Sequence, residues 1–268
     1  MTPTTIAANA GTLLFVPGDR PDRFAKAVAA DPDLVVLDLE DAVPAARKGA
    51  ARDEVVRWLA GHRRCAVRIN APASGWYADD LAAIEPYSPI VMLPKAESAE
   101  AVSEVGRRVP AVIALVETAE GVLNARAVAG ATAVRRLAFG SFDLAAQLGI
   151  DPADREALVG VRTALVLASA AAGLPGPVDG VTADVRDSAK VADDVRYARR
   201  LGFAGKLCIH PNQLSAAKAS LRPTAAEVEW ARSVVDALGP SGISTVNGQL
   251  VDKPVIDRAR RILRQGAN

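Results

Sequence analysis

Leu34-Val35-Val36-Leu37-Asp38-Leu39-Glu40-Asp41-Ala42-Val43-Pro44 carries the pattern on which the fold turns. A short, continuous run of Val and Leu reads as a strand buried on both faces. It ends in three carboxylates, Asp38, Glu40 and Asp41. A helical pattern then runs from Pro44 to Ala60, with Val55, Val56 and Leu59 set against Arg47, Lys48, Arg52, Asp53 and Arg57. The succession of apolar run, polar end and helix recurs in both directions along the chain. Further strands are expected at Thr12–Val16, Cys65–Ile69, Ile90–Leu93, Ala111–Val116, Arg136–Phe139, Pro177–Val181 and Gly205–Ile209. Further helices are expected at Pro21–Ala30, Ser98–Val109, Thr118–Ala129, Asp154–Ala172, Asp184–Leu201 and Pro211–Leu221. Eight strands separated by helices imply parallel pairing through crossovers. With no Gly-x-Gly-x-x-Gly turn, they predict an α/β fold closed as a (β/α)8 TIM barrel rather than an open doubly wound sheet.

The barrel is expected to occupy residues 1–222, leaving 223–268 as a C-terminal helical and hairpin appendage. In that appendage a helix over Thr224–Leu238 precedes a break at Gly239-Pro240-Ser241-Gly242, then Ile243–Val251, in which Asn247-Gly248 is a two-residue hairpin signal. A last helix runs from Lys253 to about Arg264. The barrel core does not need this piece, so a lid or an oligomer contact is its expected use.

Composition narrows the chemistry. The 268 residues are 50% hydrophobic and 24% charged, which excludes a disordered chain. Lys and Arg total 32 against 31 Asp and Glu, and a net charge of +1 points to neither nucleic acid nor an anionic membrane as partner. No uncharged apolar run reaches the roughly 18 residues of a membrane span, and the first ten residues lack a signal-peptide pattern, so a soluble cytoplasmic protein is expected. The two cysteines, Cys65 and Cys208, read as small buried strand residues. With only His62 and His210, a His-rich zinc site is excluded, and the chemistry falls to carboxylates, Arg and Lys.

Active sites of such barrels lie at the carboxyl ends of the strands. There the sequence sets Asp19 and Arg20, then Asp38, Glu40 and Asp41, then Arg68 and Asn70, then Lys95, Glu117, Ser141 and Asp143. Glu117 and Asp143 end adjacent strands, a donor pair suited to Mg²⁺, which takes one or two protein carboxylates and fills its remaining positions with water and substrate oxygens. Capping of the following helices is the competing reading of both residues. A cation beside Arg68 makes a chelating site for a 2-oxo or 2-hydroxy carboxylate.

The motifs Leu14-Phe15-Val16-Pro17-Gly18, Asp38-Leu39-Glu40-Asp41-Ala42-Val43, Val67-Arg68-Ile69-Asn70, Leu93-Pro94-Lys95, Glu117-Thr118-Ala119-Glu120-Gly121, Gly140-Ser141-Phe142-Asp143-Leu144 and Cys208-Ile209-His210-Pro211 occur in this order. Through them the chain, over about residues 11–265, resembles the citrate lyase beta-subunit-like family, the malyl-CoA and citramalyl-CoA lyase branch of the Mg²⁺-dependent HpcH/HpaI aldolase superfamily. The resemblance implies Mg²⁺ on Glu117 and Asp143, and an oxo-acid held between that ion, Arg68 and the Gly140, Ser141, Phe142, Asp143 segment. It implies coenzyme A thioesters as partner substrates and a homotrimer or dimer of trimers. It also implies that Asp252, from the appendage of a neighbouring subunit, serves as acid/base; without the resemblance, Asp252 reads as the cap of the last helix. Glu40 and Asp41 would stand by the metal and hold its waters, or else cap the helix from Pro44. Lys95 would orient the carboxylates or pair with Glu97. Arg23 and Lys26, one helical turn apart, would meet CoA phosphates or form a plain solvated face. His210 reads as a structural cap.

The implied activity is Mg²⁺-dependent cleavage or formation of a β-hydroxyacyl-CoA such as citramalyl-, malyl- or citryl-CoA, giving a 2-oxo acid and acetyl-CoA or a related acyl-CoA. Two alternatives stay open: an aldolase on non-CoA pyruvate-derived acids, and a beta subunit acting only within a citrate lyase complex on a carrier-protein thioester.

Overall fold

The computed structural model describes residues 1–61, 65–237, 244–246 and 249–266. Strands β1 (Thr12–Pro17), β2 (Leu34–Asp38), β3 (Cys65–Arg68), β4 (Ile90–Leu93), β5 (Ala111–Val116), β6 (Val134–Phe139), β7 (Val178–Asp179) and β8 (Gly205–Cys208) pair in parallel in chain order, and β8 closes on β1. This is the expected (β/α)8 barrel. Around it lie α1 (Pro3–Asn9), α2 (Phe24–Ala29), α3 (Lys48–Gly61), α4 (Tyr77–Ile84), α5 (Ala99–Gly106), α6 (Ala119–Leu123), α7 (Ala125–Ala129), α8 (Ser141–Leu148), α9 (Arg155–Ala171), α10 (Ser188–Leu201) and α11 (Leu214–Leu221). Among the described residues, no helix is long and apolar enough to cross a membrane.

Strand periodicity decides what fills the barrel. Leu34 and Val36, Ile90 and Met92, and Ala111, Ile113 and Leu115 belong to one buried cluster with Leu13, Ala66, Ala138 and Leu207. Residues two apart share a face, so these side chains stack through the interior in layers. Burying each large one contributes roughly 1.5–3 kcal/mol. Ile6 and Ala7 of α1 join the same cluster at the amino ends of the strands. Arg136, 1% exposed, donates to the carbonyls of Ala8 and Gly176, tying α1 across that end. The floor of the barrel is thereby stoppered by side chains and a helix.

Several elements depart from expectation. Helices α1, α4 and α8 were not foreseen. Thr118–Ala129 is two short helices meeting at Asn124, whose φ of −94° and ψ of 4° leave the helical region. β6 begins at Val134, where its register against β5 shifts. β7 pairs over only Val178–Asp179, in a segment bounded by Pro177, which cannot donate to a ladder, and Gly180. Lys48, assigned from its spacing to the polar face of its helix, is 6% exposed.

The described chain divides into two compact units, Met1–Lys218 and Ala219–Asn268. In the second, α12 (Ala225–Asp236) and α13 (Lys253–Gly266) bury Ala231, Val234, Ile256, Ala259 and Ile262 together with Val251. α12 opens with a capping box between Thr224 and Glu227. β9 (Ser244–Val246) and β10 (Gln249–Val251) pair antiparallel. The expected hairpin at Asn247-Gly248 and the expected break at Gly239–Gly242 fall outside the described residues, as does His62.

Candidate active site

The two-residue period that packs the interior also delivers polar groups to its mouth. Continuing the series 34, 36 leads to Asp38 and Glu40; Ala66 leads to Arg68; Leu115 leads to Glu117; and Ala138 leads to Gly140. Position along the strand alone separates a core residue from a residue of the site.

Asp38 and Arg68 form the most tightly defined pair there. Arg68 Nε and Nη2 donate to Asp38 Oδ1 and Oδ2 at 2.7 and 2.6 Å. Asp38 also accepts from the Glu40 and Ala42 amides, at 2.9 and 3.3 Å. One edge of the guanidinium is therefore docked, and its Cζ lies over the Phe15 ring, 4.9 Å from the centroid. The Nη1 end is left to meet Glu40 Oε2 at 3.1 Å and Asp41 Oδ2 at 3.5 Å. Burial opposes charge on Arg68, but Asp38, Glu40 and Asp41 outweigh it and raise its pKa.

Glu40, Lys95 and Glu117 continue the cluster. Lys95 Nζ lies 3.0 Å from Glu40 Oε1 and 3.8 Å from Glu117 Oε1, and its amide donates to Glu117 Oε1 at 3.0 Å. Those carboxylates, not Glu97, are its ion-pair partners. The amide contact uses an unusual backbone: Lys95 has φ +46°, in the left-handed region. Burial raises the Glu117 carboxyl well above the ordinary range, and the charges of Glu40 and Asp143 push it further. Burial likewise raises Glu40, against the pull of Arg68 and Lys95. Lys95 is pulled down by burial and carried back above its usual value by Glu40 and Glu117.

This donor set fits a hard dication. Glu117 is 1% exposed and crowded by like charge, so a positive ion at its free oxygen would relieve the penalty. Glu40 Oε2 is buried and, although near Arg68, receives no aligned hydrogen bond. Gly140 makes room: a Cβ there would stand 2.5 Å from Glu117 Oε2. Asp143, in the first turn of α8, is near enough for its charge to act on Glu117. Among the described residues no group of three or more His, Cys, Asp or Glu is arranged to hold a metal ion, and Mg²⁺ takes as few as one or two protein carboxylates.

Other candidates take these places. Ser141 is buried, whereas Phe142 and Asp143 are exposed at the start of α8. Asp41 is exposed and touches Arg68 at the longer distance given above. Arg23, just before α2, and Lys26, within it, are exposed. His210 Nδ1 accepts from the Asn212 amide at 3.1 Å, the capping role. Asp252 stands exposed before α13, with Oδ1 3.5 Å from the Val255 amide, a loose cap. Asp38 stands on the rim by its place at a strand end, but its partner cannot be seen in the sequence. Its grip on Arg68, 30 residues on, is a register effect: Asp38 and Arg68 are paired neighbours of β2 and β3.

Known proteins share this sequence and this fold. The family model for the HpcH/HpaI aldolase/citrate lyase family matches residues 11–211. A citrate lyase subunit beta-like protein of Mycobacterium tuberculosis is 40% identical over 260 residues, 94% of each chain. A (3S)-malyl-CoA thioesterase of Cereibacter sphaeroides is 34% identical, covering 94% of this chain and 93% of its own. The crystal structure of the M. tuberculosis protein CitE in complex with magnesium, acetoacetate and coenzyme A superposes with a TM-score of 0.88 at 39% identity, covering 98% of this chain and 100% of the other.

Proposed function

The chain belongs to the HpcH/HpaI aldolase/citrate lyase family, and on that premise we propose that it is a Mg²⁺-dependent carbon–carbon lyase acting on a β-hydroxyacyl-CoA. The products are a 2-oxo acid and acetyl-CoA or a related acyl-CoA. The observation that carries this reading is the buried Glu117 carboxylate set near a guanidinium whose Nη1 end, undocked from Asp38 and paired with Glu40 and Asp41, would exchange those contacts for a substrate oxygen.

Mg²⁺ held by Glu117 and Asp143 would supply Lewis-acid polarisation of the substrate's carboxylate and hydroxyl oxygens. Arg68 meets the oxygen that becomes the oxo group and stabilises the charge developing there. Asp38 keeps the guanidinium edge-on, so that this contact is ready before substrate arrives. The Gly140–Asp143 turn, at the start of α8, orients the acid's carboxylate. Glu40 and Asp41 hold the water through which the hydroxyl proton departs, and Lys95 fixes Glu40. The carbon–carbon bond then breaks, and its electron pair enters the thioester as an enolate. Asp252 of a neighbouring subunit protonates the enolate carbon, or in synthesis removes the same α-proton. Arg23 and Lys26 take the CoA phosphates. A homotrimer or dimer of trimers satisfies this sharing of sites.

Glyoxylate, pyruvate and oxaloacetate, each with acetyl-CoA and propionyl-CoA, test the reading with and without Mg²⁺. Condensation of at least one pair, abolished by EDTA and restored by Mg²⁺, is expected. Turnover that survives EDTA unchanged, or a chain active only on CoA-free acids or carrier-protein thioesters, refutes it. Thioester hydrolysis is the second reading, favoured by the 34% identical malyl-CoA thioesterase. It releases free CoA thiol and a hydroxy acid, whereas a lyase leaves the thioester intact and yields the oxo acid.

A further inference from the structure

Lys48, the first residue of α3, is a buried ammonium that the reaction above does not use. Its Nζ donates to Leu39 O, Glu40 O and Asn70 Oδ1, each at 2.7 Å, which occupies all three of its N–H groups. Asn70 is itself held: Nδ2 donates to Leu39 O at 3.0 Å and to Asp80 Oδ2 at 2.6 Å, and its amide donates to the same Asp80 oxygen at 3.0 Å. Asp80 Oδ1 accepts from Arg52 Nε at 2.8 Å. Lys48 and Arg52 lie one turn apart on α3, so one helix grips the ends of β2 and β3 through two cations. The Trp76 ring covers the ammonium at 5.3 Å.

The carbonyls of Leu39 and Glu40 are consecutive, and both aim at one cation. Carbonyls of adjacent residues repel when turned the same way unless a positive group lies between them. Their shared partner sets the peptide between Leu39 and Glu40, and hence the direction in which the Glu40 side chain leaves the backbone. That side chain carries the carboxylate that meets Lys95 and Arg68. The ammonium's hydrogen bonds go to two backbone carbonyls and Asn70, from the side of α3.

We propose that Lys48 is a positioning residue: its buried ammonium, braced by Asn70, Asp80 and Arg52, fixes the Leu39-Glu40 backbone so that the Glu40 carboxylate faces the reacting centre. The kinetic part rests on the lyase reading above; the backbone part does not. Lys48→Met removes the charge at similar length, Lys48→Arg keeps the charge, and Asn70→Ala removes one of the three acceptors. Amide hydrogen exchange over residues 38–43 reads the backbone directly, because the Leu39, Glu40, Ala42 and Val43 amides bond within this turn or to Arg68. In full-length Lys48→Met, exchange there should quicken by about tenfold or more while β4–β6 keep their protection. The kcat should fall by about 30-fold or more, with the thioester KM within about threefold, as expected when a group already bound near substrate is misaimed. Lys48→Arg should regain part of kcat. Unchanged exchange over 38–43, protection lost evenly through the barrel, or quickened exchange with undiminished kcat would each overturn the proposal. Should Lys48→Met not fold, Asn70→Ala decides by the same local exchange, which must quicken. A parent protein without lyase turnover sinks the lyase reading alone, and the exchange result still decides the backbone role.

Discussion

Gly140→Ala puts one methyl group against Glu117. Its Cβ would stand 2.3 Å from Glu117 Cβ, 2.5 Å from Oε2 and 3.3 Å from Cδ. Ordinary carbon contacts lie at about 3.5–4.0 Å, so the approach is short by more than about 1 Å. The backbone is not the obstacle, since φ −91° and ψ 78° at Gly140 lie outside the left-handed region. Neither strand can easily retreat: the Gly140 amide donates to Val116 O at 3.0 Å, tying β5 to β6 at this level. Glu117 Cβ belongs to the backbone's own tetrahedron and cannot swing away, so the strands must spread or the carboxylate must leave its place. Overpacking of this size costs about 1–3 kcal/mol of stability. A displacement near 1 Å at a catalytic group costs about 10²-fold in rate. We expect a folded barrel with lyase turnover reduced by about 10²-fold and Mg²⁺ affinity lowered with it, read by the coupled condensation assay and by titration calorimetry. Gly160→Ala, on α9 with nothing within 4 Å of the added carbon, is the control and should leave activity intact. Turnover and Mg²⁺ affinity of Gly140→Ala within threefold of the parent would refute the argument that Glu117 needs that space.

Arg68→Lys keeps charge but cannot dock bidentately on Asp38 while presenting a further nitrogen. A loss of at least about tenfold in kcat/KM is expected, and equality within a factor of two would remove the assigned role. Asp143→Ala should abolish turnover and weaken Mg²⁺ binding in a folded protein, whereas full activity of that variant in EDTA would exclude the metal site. Asp252→Asn should cut cleavage and thioester α-proton exchange by about 10²-fold while costing well under about 1 kcal/mol of stability. Mixed with Asp143→Ala subunits it should regain part of the activity, and no recovery despite subunit exchange would confine Asp252 to its own chain's site or outside catalysis. Burial pushes the Cys65 and Cys208 thiols up to about 12, so both should resist iodoacetamide at pH 8 until the protein unfolds. The same shift works against the fold in alkali: from pH 9 upward the unfolded thiols ionise while the folded ones do not, and stability falls through that window.

The barrel was legible because parallel strands buried on both faces leave continuous apolar runs, and polar residues that end such runs can only stand at the rim. Leu34–Leu37 with Asp38, and Ala111–Val116 with Glu117, show both halves of that signal. β7 was weakly marked because its ladder is two residues long. α8 escaped notice because it starts at Ser141, one residue after the strand-end Gly140, so one motif serves as both rim and first turn. Lys48 was misplaced for a different reason. Helical periodicity assigns a residue to a face, but a lysine stem is long enough to reach from the edge of that face over a strand end. Its acceptors are the carbonyls of Leu39 and Glu40, groups every residue possesses and no sequence pattern marks. The Asp38–Arg68 fork is hidden similarly, since it depends on the β2–β3 register.

The barrel interior is filled by layered side chains and its floor is closed by α1 and Arg136, so a site at the strand ends is reached from that end alone, and this bears on the order of events during turnover. If the proposed cleavage runs here, two products of unequal length share a single exit. The oxo acid lies against Arg68 at the bottom of the queue, and the acyl-CoA, with its long tail, stands in the opening above it. The thioester must leave first. Steady-state product inhibition should then carry the signature of an ordered mechanism, with the small acid as the last to dissociate and, in synthesis, the first to bind.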